Sequence, residues 1–292
     1  MNRPFLKMSG AGNDFIVFDD RDDMLRSTTP ERWAGLCARR TGIGADGVLM
    51  LRKAEGADFQ MVYLNSNGFE ADMCGNGARC LARAAAVEFG LGQEFSMESP
   101  SPDGWKLPEG IGSRQIWAVE FLAGDGRHHA IGWGEQVMTS IGDPTGFTPL
   151  ELITGAGSFE GTLLDTGVPH FVTLVDDIDG VDLEGIGSEI RHHADVGPDG
   201  ANANFLGSGP DAEGCYPIRT FERGVEAETL ACGTGCAAAA SVLVLSGVPS
   251  PIRLRTGGGV LTVHLVLDGG SVRDLWLEGP ANIIYRGRLA DI

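Results

Sequence analysis

A short unit, a cysteine followed by glycine, a polar residue and a second glycine, occurs twice in this chain and constrains its fold more than any other feature. The first copy is Cys74-Gly75-Asn76-Gly77 and the second is Cys232-Gly233-Thr234-Gly235. Each copy leads into an Ala-rich segment with a helical pattern, which predicts that each cysteine lies at a helix N-terminus. One copy in each half of the chain predicts a duplicated α/β unit and one active site built from two matching halves.

This placement predicts a particular chemistry for the two thiols. The unpaired N–H groups and the positive dipole end of a helix N-terminus stabilise anions, so we expect the pKa of both thiols to be lowered. The glycines allow the backbone N–H groups of the same turn to face a bound carboxylate. Two activated thiols beside one anion site favour proton transfer from two sides.

The repeat extends beyond the cysteine turns. A Gly-rich turn at Gly12 leads into a strand-like segment 62 positions before Cys74, and a similar turn at Gly167 leads into another 65 positions before Cys232. Hairpin turns are predicted at residues 124–126 and 268–270. Consecutive strands with few helices indicate an α/β fold of the α+β type, in which a curled, mixed and largely antiparallel sheet surrounds the cysteine-led helix of each half.

We expect two domains, since 292 residues with 42% hydrophobic side chains can bury two cores. The predicted N-terminal domain is residues 1–135 with 279–292, and the C-terminal domain is residues 136–278. Residues 99–112 are predicted to form a loop, and residues 143–160, rich in Gly, Thr and Pro, a flexible crossover between the domains.

Composition excludes several classes of function. A net charge of −18 with only three lysines argues against a nucleic-acid surface. We find neither a signal-like N-terminal segment nor a run of about 20 apolar residues, and therefore expect a cytoplasmic protein without a membrane span. The cysteine spacings match no common zinc template, so no metal is expected.

The same residues indicate a reaction class. Removing the α-proton of an amino acid creates a carbanion beside a carboxylate, and most enzymes delocalise that charge on pyridoxal phosphate held by a lysine. None of Lys7, Lys53 and Lys106 follows a phosphate-binding glycine loop. Paired thiols at helix N-termini offer a cofactor-free alternative, in which one thiolate removes a proton and the other thiol returns one.

Each candidate residue also has a structural interpretation. A cysteine is often only a small buried hydrophobe, which is what we expect for Cys37, Cys80, Cys215 and Cys236. His170 could be a solvated loop residue, and Glu222-Arg223 a surface ion pair. The pairs His128-His129 and His192-His193 have polar neighbours and are expected at the surface.

Four segments together resemble the diaminopimelate epimerase family, in the family's order and over essentially the whole chain. They are residues 7–15 (KMSGAGNDF), 73–80 (MCGNGARC), 167–170 (GVPH) and 221–235 (FERGVEAETLACGTG). The resemblance implies two similar domains with the active site in the cleft between them, no cofactor, diaminopimelate as small-molecule substrate, and a homodimer.

The resemblance also implies residue roles. Cys74 and Cys232 are similar to the two acid/base thiols, and His170 and Glu222 to the groups that assist thiol deprotonation. The remaining implied contacts are with substrate: Gly75, Asn76, Gly233 and Thr234 at the reacting α-carboxylate, and Asn13, Asn65, Asn202 and Arg223 at the distal end.

The chain departs from the common family pattern at two positions. Val168 replaces an Asn before the Pro-His pair, and Gly47 replaces a Gln found in some members. Residues 99–160 also align poorly and are lengthened. These differences concern recognition of the distal end.

Two alternative functions remain open. A racemase resembling proline racemase also uses two cysteines at helix N-termini, but has His where this chain has Asn76 and lacks the Glu222-Arg223-Gly224 run. A non-catalytic redox or binding protein could use Cys74 and Cys232 as a reversible disulfide.

Overall fold

A computed structural model describes residues 3–71, 73–96, 105 and 115–290. The chain divides into two compact units, Met1–Ser140 with Gly279–Ile292 and Ile141–Glu278. Apart from Trp105, the loop predicted at residues 99–112 lies outside the described residues.

Unit 1 is a sheet in which one end strand, β19, comes from the C-terminal part of the chain. Pairing gives the strand order β19-β1-β2-β3-β4-β7-β8-β9, with β5 and β6 as short additions. Helix α1 begins with a proline, whose fixed φ suits a first helical turn, and α2 is the first cysteine-led helix. The described elements are β1 Pro4–Gly10, β2 Asn13–Asp19, α1 Pro30–Cys37, β3 Gly47–Arg52, β4 Phe59–Asn65, β5 Glu70–Ala71, α2 Gly75–Arg83 extended by a π-helical turn Ala84–Glu88, β6 Gln93–Ser96, β7 Gln115–Ala123, β8 Gly126–Trp133, β9 Gln136–Ile141 and β19 Asn282–Arg288.

Unit 2 is a second mixed sheet with the strand order β10-β11-β12-β13-β14-β16-β17-β18, where β15 adds to β14. Its long helix α4 is the second cysteine-led helix. The described elements are β10 Thr145–Thr154, β11 Gly157–Asp165, β12 Pro169–Val175, a π-helical turn Leu183–Gly187, α3 Ser188–Arg191, a 3-10 turn Ala194–Val196, β13 Asn202–Gly207, β14 Tyr216–Glu222, β15 Ala227–Thr229, α4 Gly233–Leu245, β16 Ile252–Thr256, β17 Gly259–Asp268 and β18 Ser271–Pro280.

The two strand orders have the same pattern of directions. Reading along each set of eight strands, the seven pairings are antiparallel, antiparallel, parallel, antiparallel, parallel, antiparallel and antiparallel. In both units the cysteine-led helix lies in the connection between the fifth and sixth strands of this order, β4 and β7 in unit 1 and β14 and β16 in unit 2, which pair parallel and so need a crossover connection. The predicted duplication and the α+β fold class are confirmed.

Both cysteine-led helices are buried against their own sheets. In α2 every residue from Asn76 to Ala82 is buried, and its apolar side chains pack with Phe15, Leu49 and Phe121. In α4 the alanines pack on all sides, which fits a helix without a polar face. Each helix N-terminus, and with it each cysteine, is therefore held in place by a core.

Two predictions about surface regions are wrong. Residues 143–160 do not form a flexible crossover but most of a hairpin, in which β10 and β11 pair from Thr145 to Thr154. Cross-strand pairing along both strands forms this hairpin despite its Gly and Thr content. His128 is buried, because its ring packs on Phe121 and bonds to Asp125 and to the Ser140 carbonyl.

Candidate active site

Both cysteines cap the helices that follow them, as predicted. The Cys74 Sγ accepts a hydrogen bond from the Gly77 N–H at 3.4 Å, and the Cys232 Sγ accepts one from the Gly235 N–H, also at 3.4 Å. Each thiol thus replaces the oxygen of a usual N-cap side chain. The two halves repeat the same geometry around the two sulfur atoms.

The first turn of each helix presents further backbone donors beside the thiol. The N–H groups of Gly75 and Asn76, and those of Gly233 and Thr234, precede the first residues that bond to a cysteine carbonyl. Such first-turn N–H groups have no intrahelical acceptor. With the helix dipole they favour a bound carboxylate at either N-terminus.

The surroundings of Cys232 correct the prediction of a lowered pKa. Burial raises the pKa of the Cys232 thiol well above its usual value, and the negative charge of Glu222 acts in the same direction. The hydrogen bonds from Thr234 and Gly235 favour the thiolate but are outweighed. Cys232 is therefore protonated in the free protein, because loss of water costs the anion more than the helix N-terminus returns. Cys74 is less buried than Cys232.

Glu222 lies beside Cys232 and does not pair with Arg223. Its carboxylate accepts a hydrogen bond from the Thr229 hydroxyl at 2.8 Å and another from the Cys232 thiol. Burial raises the pKa of Glu222, which brings it closer to the range of a general base. The interpretation of Glu222-Arg223 as a surface ion pair is wrong.

His170 is completely buried on β12, so the solvated-loop interpretation is also wrong. Burial lowers the pKa of its imidazole to about 3, and the charge of Arg223 adds to this effect. The Asn204 amide nitrogen lies 3.1 Å from His170 Nδ1, and the Asn202 amide nitrogen lies 3.5 Å from Nε2. The imidazole is therefore neutral at physiological pH.

Asn202 links the turn that carries His170 to the turn that carries Arg223. Its side chain accepts a hydrogen bond from the Arg223 N–H at 2.7 Å and donates one to the Pro169 carbonyl at 3.1 Å. The Arg223 guanidinium is half-buried and has no ion-pair partner within the described parts of the chain. A cation without a partner at this position can bind an anionic ligand.

In unit 1 the predicted substrate residues lie around the N-terminus of α2. Asn13 follows a two-residue turn in which Ala11 and Gly12 both have positive φ, 52° and 89°. The Asn13 side chain accepts a hydrogen bond from the Asn76 amide and donates one to Asp46 at 3.1 Å. These bonds tie the β1–β2 turn to the first turn of α2.

The other unit 1 residues are defined by close backbone packing. Asn65 ends β4 and pairs with Gly47 on β3, and its side chain is half-buried. A Cβ atom on Gly47 would lie 2.5 Å from the Leu64 carbonyl and 2.7 Å from the Tyr63 ring. The Tyr63 ring therefore occupies the space that a larger side chain at position 47 would need. In unit 2, Val168 is half-buried in the turn before His170.

Sequence reasoning missed one buried polar residue of this site. Asn204 is completely buried on β13, two positions after Asn202 and on the same face of the strand, where it contacts His170. Its signal in the sequence is a second Asn within the otherwise apolar Ala203-Asn204-Phe205-Leu206 segment.

The surroundings of the cysteines were also compared with the common patterns for metal sites, disulfides and membrane spans. No three of their His, Cys, Asp or Glu side chains are grouped so that they could hold a metal ion. None of the six cysteines forms a disulfide, and Cys37, Cys80, Cys215 and Cys236 are buried as predicted. Among the helices in the described ranges, none is long and apolar enough to cross a membrane.

The fold is shared with solved structures of low sequence similarity. A PhzF-family phenazine biosynthesis protein of Bacillus anthracis matches with a TM-score of 0.71 at 15% identity, over 100% of both chains. A probable proline racemase from Agrobacterium radiobacter matches with a TM-score of 0.66 at 15% identity, over 99% of this chain and 93% of that one. These matches show that the chain belongs to a class of proteins with a shared α+β fold, which in this chain consists of two similar units.

Sequence comparison is more specific. The profile described as diaminopimelate epimerase matches residues 5–103 and 162–284. The diaminopimelate epimerase of Chlorobaculum tepidum is 39% identical over 97% of this chain and 99% of its own length, and that of Aquifex aeolicus 34% identical over 98% of each. This chain belongs to the diaminopimelate epimerase family.

Proposed function

We propose that this protein interconverts LL- and meso-diaminopimelate without a cofactor, in the biosynthesis of lysine and cell-wall precursors. The observation that carries the proposal is the thiol-capped helix N-terminus, present once in each unit with the same 3.4 Å contact. Family membership supports the choice of diaminopimelate, because the related proteins bear the name diaminopimelate epimerase.

The proposed reaction is a two-base proton transfer at the α-carbon. The N–H groups of the two first helical turns bind the α-carboxylate and stabilise the negative charge that develops beside it. One cysteine, as thiolate, removes the α-proton, and the thiol of the other cysteine delivers a proton to the opposite face. The proton count balances, because one thiol is formed as the other is consumed.

Glu222 is the proposed base for Cys232. Its carboxylate accepts the hydrogen bond of that thiol, and the pKa of Glu222 is raised by burial. A thiol whose own pKa is also raised needs such an acceptor before it can serve as a thiolate. Proton exchange between Cys232 and Glu222 would prepare the enzyme for either direction of the reaction.

The distal amino-acid end of the substrate is assigned to Arg223, Asn13, Asn65 and Asn202. Arg223 supplies an unpaired guanidinium for the distal carboxylate, a contact that planar donors make in bidentate form. Asn13 and Asn202 already bond within the protein, but a side-chain amide can form about four hydrogen bonds, so each retains capacity for a ligand. We further propose that the protein is cytoplasmic and that it forms a homodimer, and light scattering on the purified protein would test the dimer.

The decisive experiment is epimerisation in heavy water with purified, reduced protein and no added cofactor. We expect the product to carry deuterium from the first turnover while recovered substrate gains it more slowly, because different thiols remove and deliver the proton. A single base would return protium to the product, and that outcome would rule out the two-thiol assignment.

Cysteine variants provide the controls. Cys74→Ser and Cys232→Ser should each lose most of the epimerisation, since a serine hydroxyl is a much weaker acid and base than either thiol. Cys37→Ser changes a buried cysteine of the Trp33 core in the same way and should keep the isotope pattern. Loss of activity in all three variants would indicate a structural effect of the substitution.

The same assays separate the two alternatives. Racemisation of proline by the protein, without turnover of diaminopimelate, would favour the proline racemase interpretation. A redox or binding protein would exchange no α-proton of any of these ligands with solvent.

A further inference from the structure

The Asn204 side chain is placed to control His170. The amide is completely buried on β13. Its Nδ2 atom lies 3.1 Å from His170 Nδ1, 3.0 Å from the Phe171 carbonyl and 3.2 Å from the Asn202 carbonyl, and its Oδ1 atom lies 3.1 Å from the Thr220 hydroxyl. Every polar atom of Asn204 thus has a partner inside unit 2.

These partners fix which way the amide points. The two backbone carbonyls can only accept hydrogen bonds, so the atom beside them must be the donating nitrogen. The opposite atom, Oδ1, accepts from the Thr220 hydroxyl. A flipped amide would place its oxygen against two carbonyl oxygens and is excluded on electrostatic grounds.

The orientation of Asn204 determines the protonation of His170. Because Nδ2 donates toward His170 Nδ1, that ring nitrogen accepts and carries no proton. A neutral imidazole then has its hydrogen on Nε2. The Asn202 amide nitrogen also approaches the ring, but it lies 3.5 Å from Nε2 and donates to the Pro169 carbonyl at 3.1 Å, so the shorter Asn204 contact decides which ring nitrogen accepts. The Nε2–H group therefore remains available for an acceptor that a ligand or a thiolate brings.

The other unit shows that the fold itself does not require an amide at this position. Phe15 pairs with Gly47 in unit 1, and His170 pairs with Asn202 at the equivalent place in unit 2. Two positions further along the second strand of each pair come Leu49 and Asn204, which are therefore counterparts. Both side chains pack against the glycine that is the third residue of the cysteine-led helix. A Cβ atom on Gly77 would lie 3.0 Å from the Leu49 side chain, and a Cβ atom on Gly235 would lie 2.4 Å from the Asn204 side chain. The amide occurs in the unit that has a histidine to orient.

We propose that Asn204 is a positioning residue that holds His170 as the neutral Nε2–H tautomer, so that His170 serves the site as a hydrogen-bond donor and not as a proton acceptor. The inference rests on the proposed function only for its catalytic consequence. It leaves Glu222 as the base for Cys232 and assigns His170 to stabilising an anion, either a substrate carboxylate or a thiolate.

The test is nitrogen NMR of the reduced, full-length protein with ¹⁵N-labelled histidine. His170 is assigned by the signals that disappear in His170→Gln. We expect its Nδ1 at the chemical shift of an unprotonated ring nitrogen and its Nε2 at that of a protonated one. The reverse pattern would overturn the proposal, and this measurement needs no variant of Asn204.

Two variants connect the tautomer to Asn204. Asn204→Asp places a carboxylate beside Nδ1 and should move the Nδ1 signal to the protonated position, with a fall in kcat of about 10²-fold, as for loss of one preorganised donor. Thr220→Val is the matched control, because it removes a buried hydrogen bond to Asn204 but leaves the donor to His170. We expect it to keep the wild-type shifts.

Failure of the inference is distinguishable from failure of the proposed function. A fall in kcat in Asn204→Asp without a change in the His170 shifts would mean that Asn204 has only a structural role, and would overturn the inference. Absence of diaminopimelate turnover would remove the proposed function but leave the NMR result valid.

Discussion

Burial of His170 predicts a specific pH dependence of stability. Its pKa is lowered to about 3 in the folded protein because the ring is removed from water, whereas the unfolded chain keeps the ordinary value of 6.5. Above the unfolded pKa the imidazole is neutral in both states. As the pH falls below it, the unfolded chain binds a proton that the folded protein cannot bind, so the free energy of unfolding decreases.

The size of the effect follows from the two pKa values. Each pH unit between them costs about 1.4 kcal/mol, so at about pH 5 the buried His170 lowers the free energy of unfolding by about 2 kcal/mol relative to neutral pH. His170→Gln cannot bind the proton in either state. The difference in stability between neutral pH and pH 5 should therefore be smaller in this variant by about 2 kcal/mol.

Urea unfolding followed by circular dichroism, at both pH values and for both proteins, measures this double difference. Comparison of the two proteins cancels the contributions of all other titrating groups, provided they are not coupled to the imidazole. His192→Gln, which removes an exposed imidazole from the same unit, is the control for histidine loss outside the buried network. Equal pH dependence in wild type and His170→Gln would refute the burial argument.

Three other changes test the site. Arg223→Ala should raise KM for diaminopimelate far more than it changes thiol alkylation rates, because it removes the distal carboxylate's partner and leaves the helix termini intact; unchanged steady-state kinetics would contradict the assignment. Glu222→Gln should lower kcat and remove the acidic limb of the pH–rate profile, because the variant has no carboxylate to accept the Cys232 proton. An unaltered profile would exclude Glu222 as the base. Gly10→Ala should destabilise the protein by about 1–3 kcal/mol in urea unfolding and reduce kcat. The added Cβ atom would lie 2.9 Å from the Asn76 carbonyl and 3.1 Å from the Cys80 sulfur, and wild-type stability would show that α2 can shift without cost.

Much of the fold could be predicted from local sequence. The Cys-Gly-polar-Gly units mark both helix starts because the glycines and the alanines after them have strong local preferences. Duplication was visible because the Gly-rich turns and cysteines recur at nearly equal spacing, and the matching strand orders confirm it. Alternating hydrophobic patterns and hairpin turns were enough to predict mixed, largely antiparallel sheets.

Local pattern failed where composition resembled a loop. Gly and Thr in residues 143–160 suggested a crossover, yet the cross-strand pairing of β10 with β11 stabilises a hairpin there. The polar neighbours of His128 suggested exposure, but Phe121 on β7 and the Ser140 carbonyl on β9, the two strands that pair with β8, enclose it. Both errors come from contacts that only the folded chain creates.

The sequence by itself determined the chemical types at the site: two thiols at helix N-termini, a histidine, a glutamate and an arginine. Only the tertiary structure decided the protonation of Cys232 and His170. A helix N-terminus predicts a lowered pKa for Cys232, but burial reverses the direction, and a buried amide from another strand sets the state of His170. The physical reason is that desolvation depends on every element packed around a group, whereas capping depends on a few neighbouring residues.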